Sequence, residues 1–479
     1  MTHAVNWING DFIDSPVHGQ SLDPVNGQVL GTFADGGEPE ATAAVLAARR
    51  AFTADDWSRD SQLRARALLE FADLLEEGRD EIAALLSREM GKKLSDAVME
   101  VGAAVPKLRY HAALALTDAG RAAEAQPGMY SMTLRQPLGV AGVIVPWNSP
   151  VVLAVRSFAP ALAAGCTVAM KMPAQTALTN HLLYQIAARV PSLPPGALNC
   201  FTESGNSGAP LLVDHPEVAV VSYTGSTAVG KTIMAQAAAQ LRPVSLELGG
   251  KSPMVVFDDA DLDRVVPVLV AAITTFSGQF CMAGSRILAQ RGIADALRGR
   301  LTEALEAVQV GPGDDPATDM GPVVDRAAAE RIDRMVAEAA AYGEVLVRGG
   351  LVNPEGADAF VRPALVEVKD ATAPLVQQEV FGPVATFEVF TDEADAVARA
   401  NATVYGLAAS VWSQDVDRPL RVARELDAGT VWTNTWGVVH DRFEEGGFKH
   451  SGVGRLNGRR GLEEFQEIKH LVHCAPRQG

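Results

Sequence analysis

The chain has 479 residues, 48% of them hydrophobic and 21% charged, the make-up of a globular protein with material for about three domains. A net charge of −17 sets it against polyanions, so nucleic acid and anionic membrane surfaces are disfavoured as partners. There is no run of about 18 apolar residues, no basic-then-apolar leader and no C-x-x-C among the four cysteines, so a cytoplasmic protein without membrane span or disulfide framework is expected. Nine histidines without an H-x-x-x-H spacing give no support for a metal site, and none is expected.

The opening "WINGDFIDS" sets β-prone runs around an Asn-Gly turn and predicts a small strand pair. From residue 38 to 122 the texture becomes helical, as in "QLRARALLEFADLLEEGRDEIAALLSREMG", with Gly91 as a stop. "YSMTLRQPLG" reads as an extended arm. Then "GVAGVIVP", "CTVAMKMP", "GALNCFTE" and "VAVVSYTG" alternate with helical stretches such as "FAPALAAG" and "TNHLLYQIAARV". Strands that are apolar throughout and separated by helices predict a parallel sheet covered on both faces. Its ligand site belongs at the carboxyl ends of the strands. From about residue 252 the alternation repeats in "PMVVFDD", "SRILAQ", "VRPALVEV", "ATFEVF" and "LAASVWS", so a second α/β unit is expected. "EEFQEIKHLVHCA" ends the chain as a further strand.

Within this frame "TGSTAVGKT" matches the phosphate-loop pattern G-x-x-x-x-G-K-[ST] through Gly225, Gly230, Lys231 and Thr232, and follows a strand as that loop requires. Asp258 or Asp259 after "PMVVF" could then hold magnesium, and a nucleotide triphosphatase is one reading. The other is a strand-turn-helix whose free N–H groups and positive dipole end accept any anion, a dinucleotide's pyrophosphate included.

Four further stretches carry chemistry. In "VPWNSP" a turn between prolines holds Asn148, whose amide can face a developing oxyanion, or can simply satisfy the turn. In "LELGGKSP" Glu247 closes a strand beside two glycines and suits a general base, or a partner for Lys251. In "FSGQFCMAGSR" Cys281 stands in a segment of small residues, where a thiolate nucleophile or a buried apolar cysteine fits. "QQEVFGPV" adds Glu379 ahead of a Phe-Gly-Pro turn.

Taken in order, "PWNSP", "YTGSTAVG", "LELGGKSP", "GQFC", "EVFGPV" and the late "GTVWTNTWG…GGFKHSGVGR" resemble the aldehyde dehydrogenase superfamily over nearly the whole chain. The resemblance implies two Rossmann-like parallel-sheet domains and a small β oligomerisation arm. The dinucleotide-binding domain would take residues 1–118 and 138–249, the catalytic domain 250–449, and the arm with its C-terminal segment 119–137 and 450–479. It implies Cys281 as the nucleophile, Asn148 with the Cys281 N–H as the oxyanion donors, and Glu247 as the base that releases a carboxylic acid from a thioester. A coenzyme A-acylating enzyme is the nearest variant, and Glu247 argues for hydrolysis. Gly225, Ser226 and Gly230 would surround the pyrophosphate, with Trp147 and Leu248 beside the cofactor. Glu379 would hold the nicotinamide ribose, Phe381 would pack there, and Lys171 would face the adenosine ribose. Ala174 stands where many NAD-preferring members carry glutamate, so NAD or NADP is expected, with NADP tolerated. Ser149, Arg156, Trp436 and Glu445 are the candidate substrate residues. Arg156 could receive a distal carboxylate, Glu444 and Glu445 could attract a cation, or Arg156 and a glutamate could pair structurally. A small-molecule aldehyde is the expected partner, and the strand arm implies a homodimer or homotetramer.

Overall fold

The computed structural model describes residues 2–54 and 56–475; residues 1 and 55, and the last four positions of the expected C-terminal segment, lie outside the described residues. Two large sheets dominate. In the first, eight strands run in the order Gly452–Val453, Val244–Glu247, Val218–Thr224, Val140–Ile144, Thr167–Pro173, Leu198–Glu203, Asn6–Ile8 and Asp11–Ile13. The five strands from Val244–Glu247 to Leu198–Glu203 are parallel, and the flanking ones are antiparallel. Successive residues of Val140–Ile144 show why the run is apolar throughout. Ala141 and Val143 enter the cluster that holds Phe71, Leu108 and Phe158, while Val140 and Ile144 enter the opposite cluster with Val45, Leu212 and Ile233. Both faces are covered, so a polar side chain placed there gives up its water.

The second sheet follows the same rule. Its order is Glu344–Val347, Ala364–Glu367, Val384–Phe390, Arg286–Gln290, Pro253–Val256, Ala408–Trp412 and Thr430–Thr433, with only Glu344–Val347 antiparallel. Met254 and Val256 face one core, Val255 the other. These are the two Rossmann-like units that the alternation of strands and helices predicts.

Local signals also hold. Asn9 and Gly10, at φ of 58° and 87°, form the turn between the first hairpin strands. Such a pair of positive φ values is what Asn-Gly supplies. Gly91 ends the helix Arg79–Met90 in the left-handed conformation. The arm is a three-stranded antiparallel sheet of Ala122–Gln126, Met129–Pro137 and Gln466–Cys474. Its faces expose Tyr130, Leu134, Ile468, Leu471 and Val472. Among the described residues no helix is long and apolar enough to cross a membrane.

Arg286, fully buried, forks onto Glu388 at 2.8 and 2.9 Å and donates to the carbonyls of Arg399 and Ala400. Glu388→Ala leaves that guanidinium buried without its carboxylate. A loss of about 3–5 kcal/mol is expected, read as a lowered denaturant midpoint.

Candidate active site

In the first sheet Val140–Ile144 connects onward to Thr167–Pro173 on one side, and Val218–Thr224 lies on its other side. The strand order reverses between them, and a crevice opens at the carboxyl ends. Two adjoining cavities fill it, sharing Pro146, Trp147 and Thr224 as wall. The first, about 320 Å³, brings together Trp147, Asn148, Gly225, Ser226, Glu247, Leu248, Cys281, Glu379 and Phe381. Those positions adjoin strands of both sheets and run from residue 147 to residue 381. The second, about 440 Å³, holds Lys171, Glu203, Tyr223 and Thr232.

Asn148 lies in the turn before the helix Pro150–Ala164, which begins on a proline because its missing N–H has no acceptor to lose there. Its Nδ2 donates to the carbonyl of Gln279 at 3.1 Å, two residues before Cys281. The cysteine loop is held in a costly shape: Phe276, Ser277 and Gly278 take successive φ values of 51°, 57° and 70°. Three left-handed residues in a row persist only where the surroundings fix them. A Cβ on Gly278 would collide with the backbone of Gly382 and Pro383. Cys281 follows this loop and is not at a helix N-terminus. Burial therefore dominates its titration and pushes the thiol up to about 12, against the attraction of Arg156. Of the thiolate and the buried cysteine that the sequence leaves open, the raised thiol fits the second, so a thiolate has to be made by a base.

Glu247 offers one. It closes the strand Val244–Glu247, is 4% exposed, and is raised above the usual carboxylate range chiefly by burial, with Arg156 and Arg455 opposing and Glu445 assisting. Glu247 does not pair with Lys251, which is itself buried without a hydrogen-bond partner and lowered to about 7 by desolvation. Glu379 is raised by burial to about 7, and accepts the Gly250 N–H at 3.1 Å. Gly249 leaves room for the Glu379 carboxylate, which a Cβ there would displace. Phe381 meets Trp147 edge to face, with centroids 5.4 Å apart.

The turn after Thr224 leads straight into a capped helix. Ser226 caps the helix Thr227–Ala238, and Gly230 lies against Leu248 so closely that a Cβ would overlap it. Lys231 is exposed on that helix and does not line either cavity, while Asp259 caps a loop of the second sheet through Ser413, Gln414 and Asp415. The two halves of a triphosphate site are thus not in one place. Lys171 sits in the second cavity, drawn down by burial and supported by Glu203 and Asp35. Ala174 adds no carboxylate, yet Glu203 brings one to the same crevice, where it accepts the N–H groups of Ser207, Gly208 and Ala209. Glu203 ends the strand Leu198–Glu203 in a segment that matches no motif, so nothing in the sequence singles it out.

The four candidate substrate residues stand behind the cavity wall. Arg156 Nη1 meets Glu445 Oε1 at 3.0 Å and Nη2 meets the Thr224 hydroxyl at 3.0 Å, with both ions buried. Glu445 also accepts from Asn457 at 2.8 Å. Arg156 and Glu445 are therefore a neutral pair. Glu444 turns away toward Arg460. Trp436 donates to the Met282 carbonyl at 3.1 Å and packs edge to face on Phe280, bracing the cysteine loop. Ser149 is buried at the helix start and its side chain makes no cap bond. Outside the cleft, His3 and His18 each approach Asp14, at 3.1 and 3.0 Å, a grouping that sequence spacing could not reveal.

The family model described as "Aldehyde dehydrogenase family" matches residues 13–471. The chain is 40% identical to a phenylacetaldehyde dehydrogenase of Pseudomonas fluorescens, over 97% of its own length and 94% of that protein. It is 35% identical to a succinate-semialdehyde dehydrogenase [NADP(+)] of Escherichia coli, over 97% and 96%. A betaine aldehyde dehydrogenase of Staphylococcus aureus, solved in complex with NAD+, superposes with a TM-score of 0.96 at 34% identity, covering 99% of this chain and 96% of that one.

The buried thiol makes a reactivity order testable. Cys474 is exposed, Cys281 is intermediate with its thiol raised, and Cys166 and Cys200 are buried with raised thiols. Iodoacetamide at neutral pH is expected to label Cys474 before Cys281, and labelling of Cys281 should keep accelerating as pH rises past 9, since its thiolate fraction is still climbing. Peptide mass spectrometry after timed quenching reads the order.

Proposed function

Because the chain belongs to the aldehyde dehydrogenase family, we propose that it oxidises a small aldehyde to the carboxylic acid with NAD or NADP through a thioester on Cys281. One observation carries the reading: a nucleophile, an amide donor and a desolvated carboxylate, Cys281, Asn148 and Glu247, line a single cavity at the strand ends. The residues present fit a nicotinamide dinucleotide. Two cavities adjoin there, Ser226 at the start of the helix Thr227–Ala238 lines the first, and Lys171 lines the second. When bound, the dinucleotide supplies the hydride acceptor.

The rest is the work of this chain. Cys281 Sγ bonds to the aldehyde carbon, its proton passing to a base. The oxyanion that forms is held by Asn148 Nδ2 and the Cys281 N–H, donors whose grip tightens as charge develops. Collapse of that oxyanion would expel the aldehyde hydrogen as hydride, for which the bound dinucleotide is the acceptor, and leave a thioester on Sγ. Glu247 in its carboxylate form then takes a proton from water, and the hydroxide displaces Sγ to leave the acid. A coenzyme A thiol would need that base less, so hydrolysis is the favoured release. Gly225, Ser226, Gly230 and Leu248 would border the pyrophosphate path, and Trp147, Glu379 and Phe381 the nicotinamide ribose. Retention of Lys171 with Ala174 supports acceptance of NADP, tempered by the Glu203 carboxylate. We further propose the division into residues 1–118 with 138–249, 250–449, and 119–137 with 450–479, a cytoplasmic setting, and a homodimer or homotetramer joined through the exposed arm. An aldehyde with an uncharged tail suits the pocket, since Glu445 already neutralises Arg156.

The experiment follows reduced-cofactor absorbance with aliphatic, aryl, cationic and carboxylate-bearing aldehydes, each with NAD and NADP. Turnover that vanishes in Cys281→Ala supports the reading. No turnover with any pair, in folded protein, contradicts it. Because Glu247 works as the base and its pKa is raised, activity should fall as pH drops through a midpoint well above the ordinary carboxylate range, and Glu247→Gln should remove most of it. Glu445→Gln releases the Arg156 charge, and kcat/KM is expected to move by about tenfold toward carboxylate-bearing aldehydes over neutral ones.

A further inference from the structure

We propose that Lys92 and Glu100 are positioning residues for the Asn148 amide, a buried clamp that fixes the turn carrying Asn148 against the loop carrying Cys281. The inference rests on the oxidation reading above. Lys92 sits in the short link between the helices Arg79–Met90 and Leu94–Thr117, and Glu100 lies on the second of these. Both are 2% exposed, and Lys92 Nζ stands 2.5 Å from Glu100 Oε2. A pair serving only its own two helices would need no more than that.

Each ion instead spends its second bond on the turn. Lys92 Nζ donates to the carbonyl of Asn148 at 2.8 Å, and Glu100 Oε1 accepts the N–H of Val151 at 3.0 Å. Pro150 has no N–H, and the Ser149 side chain makes no cap bond, so Val151 carries the first free donor of the helix Pro150–Ala164. Glu100 therefore does the capping that the helix's own first residues leave undone. The peptide on the C-terminal side of Asn148 and the first N–H of the helix are held from one direction by two opposite charges.

The other side of the clamp is the cysteine loop. The Lys92 ammonium lies 4.1 Å from the centroid of Phe276, the first of the three left-handed residues. The Asp96 carboxylate, one turn before Glu100 on the same helix, lies beside the Phe276 backbone N–H. Phe276 thus has a cation on its ring face and a carboxylate near its main chain. Asn148 Nδ2 closes the circuit on Gln279. Lys92 touches both strands of the oxyanion site, the amide donor's turn and the nucleophile's loop, while lining neither cavity. A buried ion pair is a weak stabiliser compared with an apolar pair of the same size, so a geometric duty explains its charges better than stability does.

The test compares wild type with Lys92→Met/Glu100→Gln, in which the pair is neutral and the glutamine oxygen still accepts from Val151. Glu100→Gln alone is the milder second variant. The expected result is a kcat lower by about 30–100-fold in the double variant, as a small misplacement of a donor costs, with aldehyde KM within about threefold. Iodoacetamide labelling of Cys281 should stay within about twofold of wild type, since the thiol's own environment is kept. The decisive readout is a mutant cycle: in an Asn148→Ala background the Lys92 and Glu100 changes should cost nothing further, because they act through that amide. Additive losses, or an unchanged kcat in both variants, would overturn the clamp while leaving the oxidation reading intact. A wild type without aldehyde turnover would overturn that reading and the clamp together.

Discussion

Desolvation where the two sheets meet is the constraint on which the site depends. For Cys281, Glu247, Glu379 and Lys251 alike, burial is the largest influence on titration, and in each case it disfavours the charged form. The first three surround one cavity, and a carboxylate that resists ionisation can act as a base near neutral pH. The same burial keeps the thiol protonated until it is called on. Arg156 is the counterweight, attracting both Glu247 and Cys281 while Glu445 holds its charge in check.

Close approach is what makes that burial attainable. Glycine at 249 leaves room for the Glu379 carboxylate, glycine at 278 lets the strained cysteine loop pass the backbone at 382 and 383, and glycine at 230 admits Leu248. Each removes a Cβ at a point where the two sheets or a helix and loop come within contact. The cost is conformational freedom lost on folding, and the strained φ values at Phe276 and Ser277 add to it. Clamping from outside, by Trp436 on one flank and Lys92 on another, gives that loop one shape.

Much of this was legible in the chain. Continuous apolar runs foretell strands covered on both faces, as Val140–Ile144 demonstrates by sending alternate residues into two cores. Asn9-Gly10 and Gly91 announce their backbone conformations because few other residues adopt them. The motif residues around the cleft were legible through their resemblance to a family. What stayed hidden depends on pairs far apart in sequence. Pairing of Arg156 with a glutamate is one of three readings the sequence leaves open, and only the fold selects it, across 289 positions, and selects Glu445 over Glu444. Lys92 reads as a helix-linker lysine, and only the packed fold brings it to Asn148. The phosphate-loop lookalike misleads for a related reason: its letters match, but Lys231 points to solvent and Asp259 belongs to the other sheet. At Cys281 the sequence leaves a thiolate and a buried cysteine both open, and only the packed site, where burial raises the thiol, separates them.

The central claim is that carbon from the aldehyde becomes bonded to Cys281 Sγ and is released by water that Glu247 activates. Mass spectrometry of Glu247→Gln, quenched in acid after mixing with an aldehyde and either dinucleotide, tests it most directly. The account predicts an acyl increment on the peptide containing Cys281, formed only when aldehyde and dinucleotide are both present, and cleared far faster in wild type. An increment on another residue, or none on Cys281 while reduced dinucleotide accumulates, would contradict it.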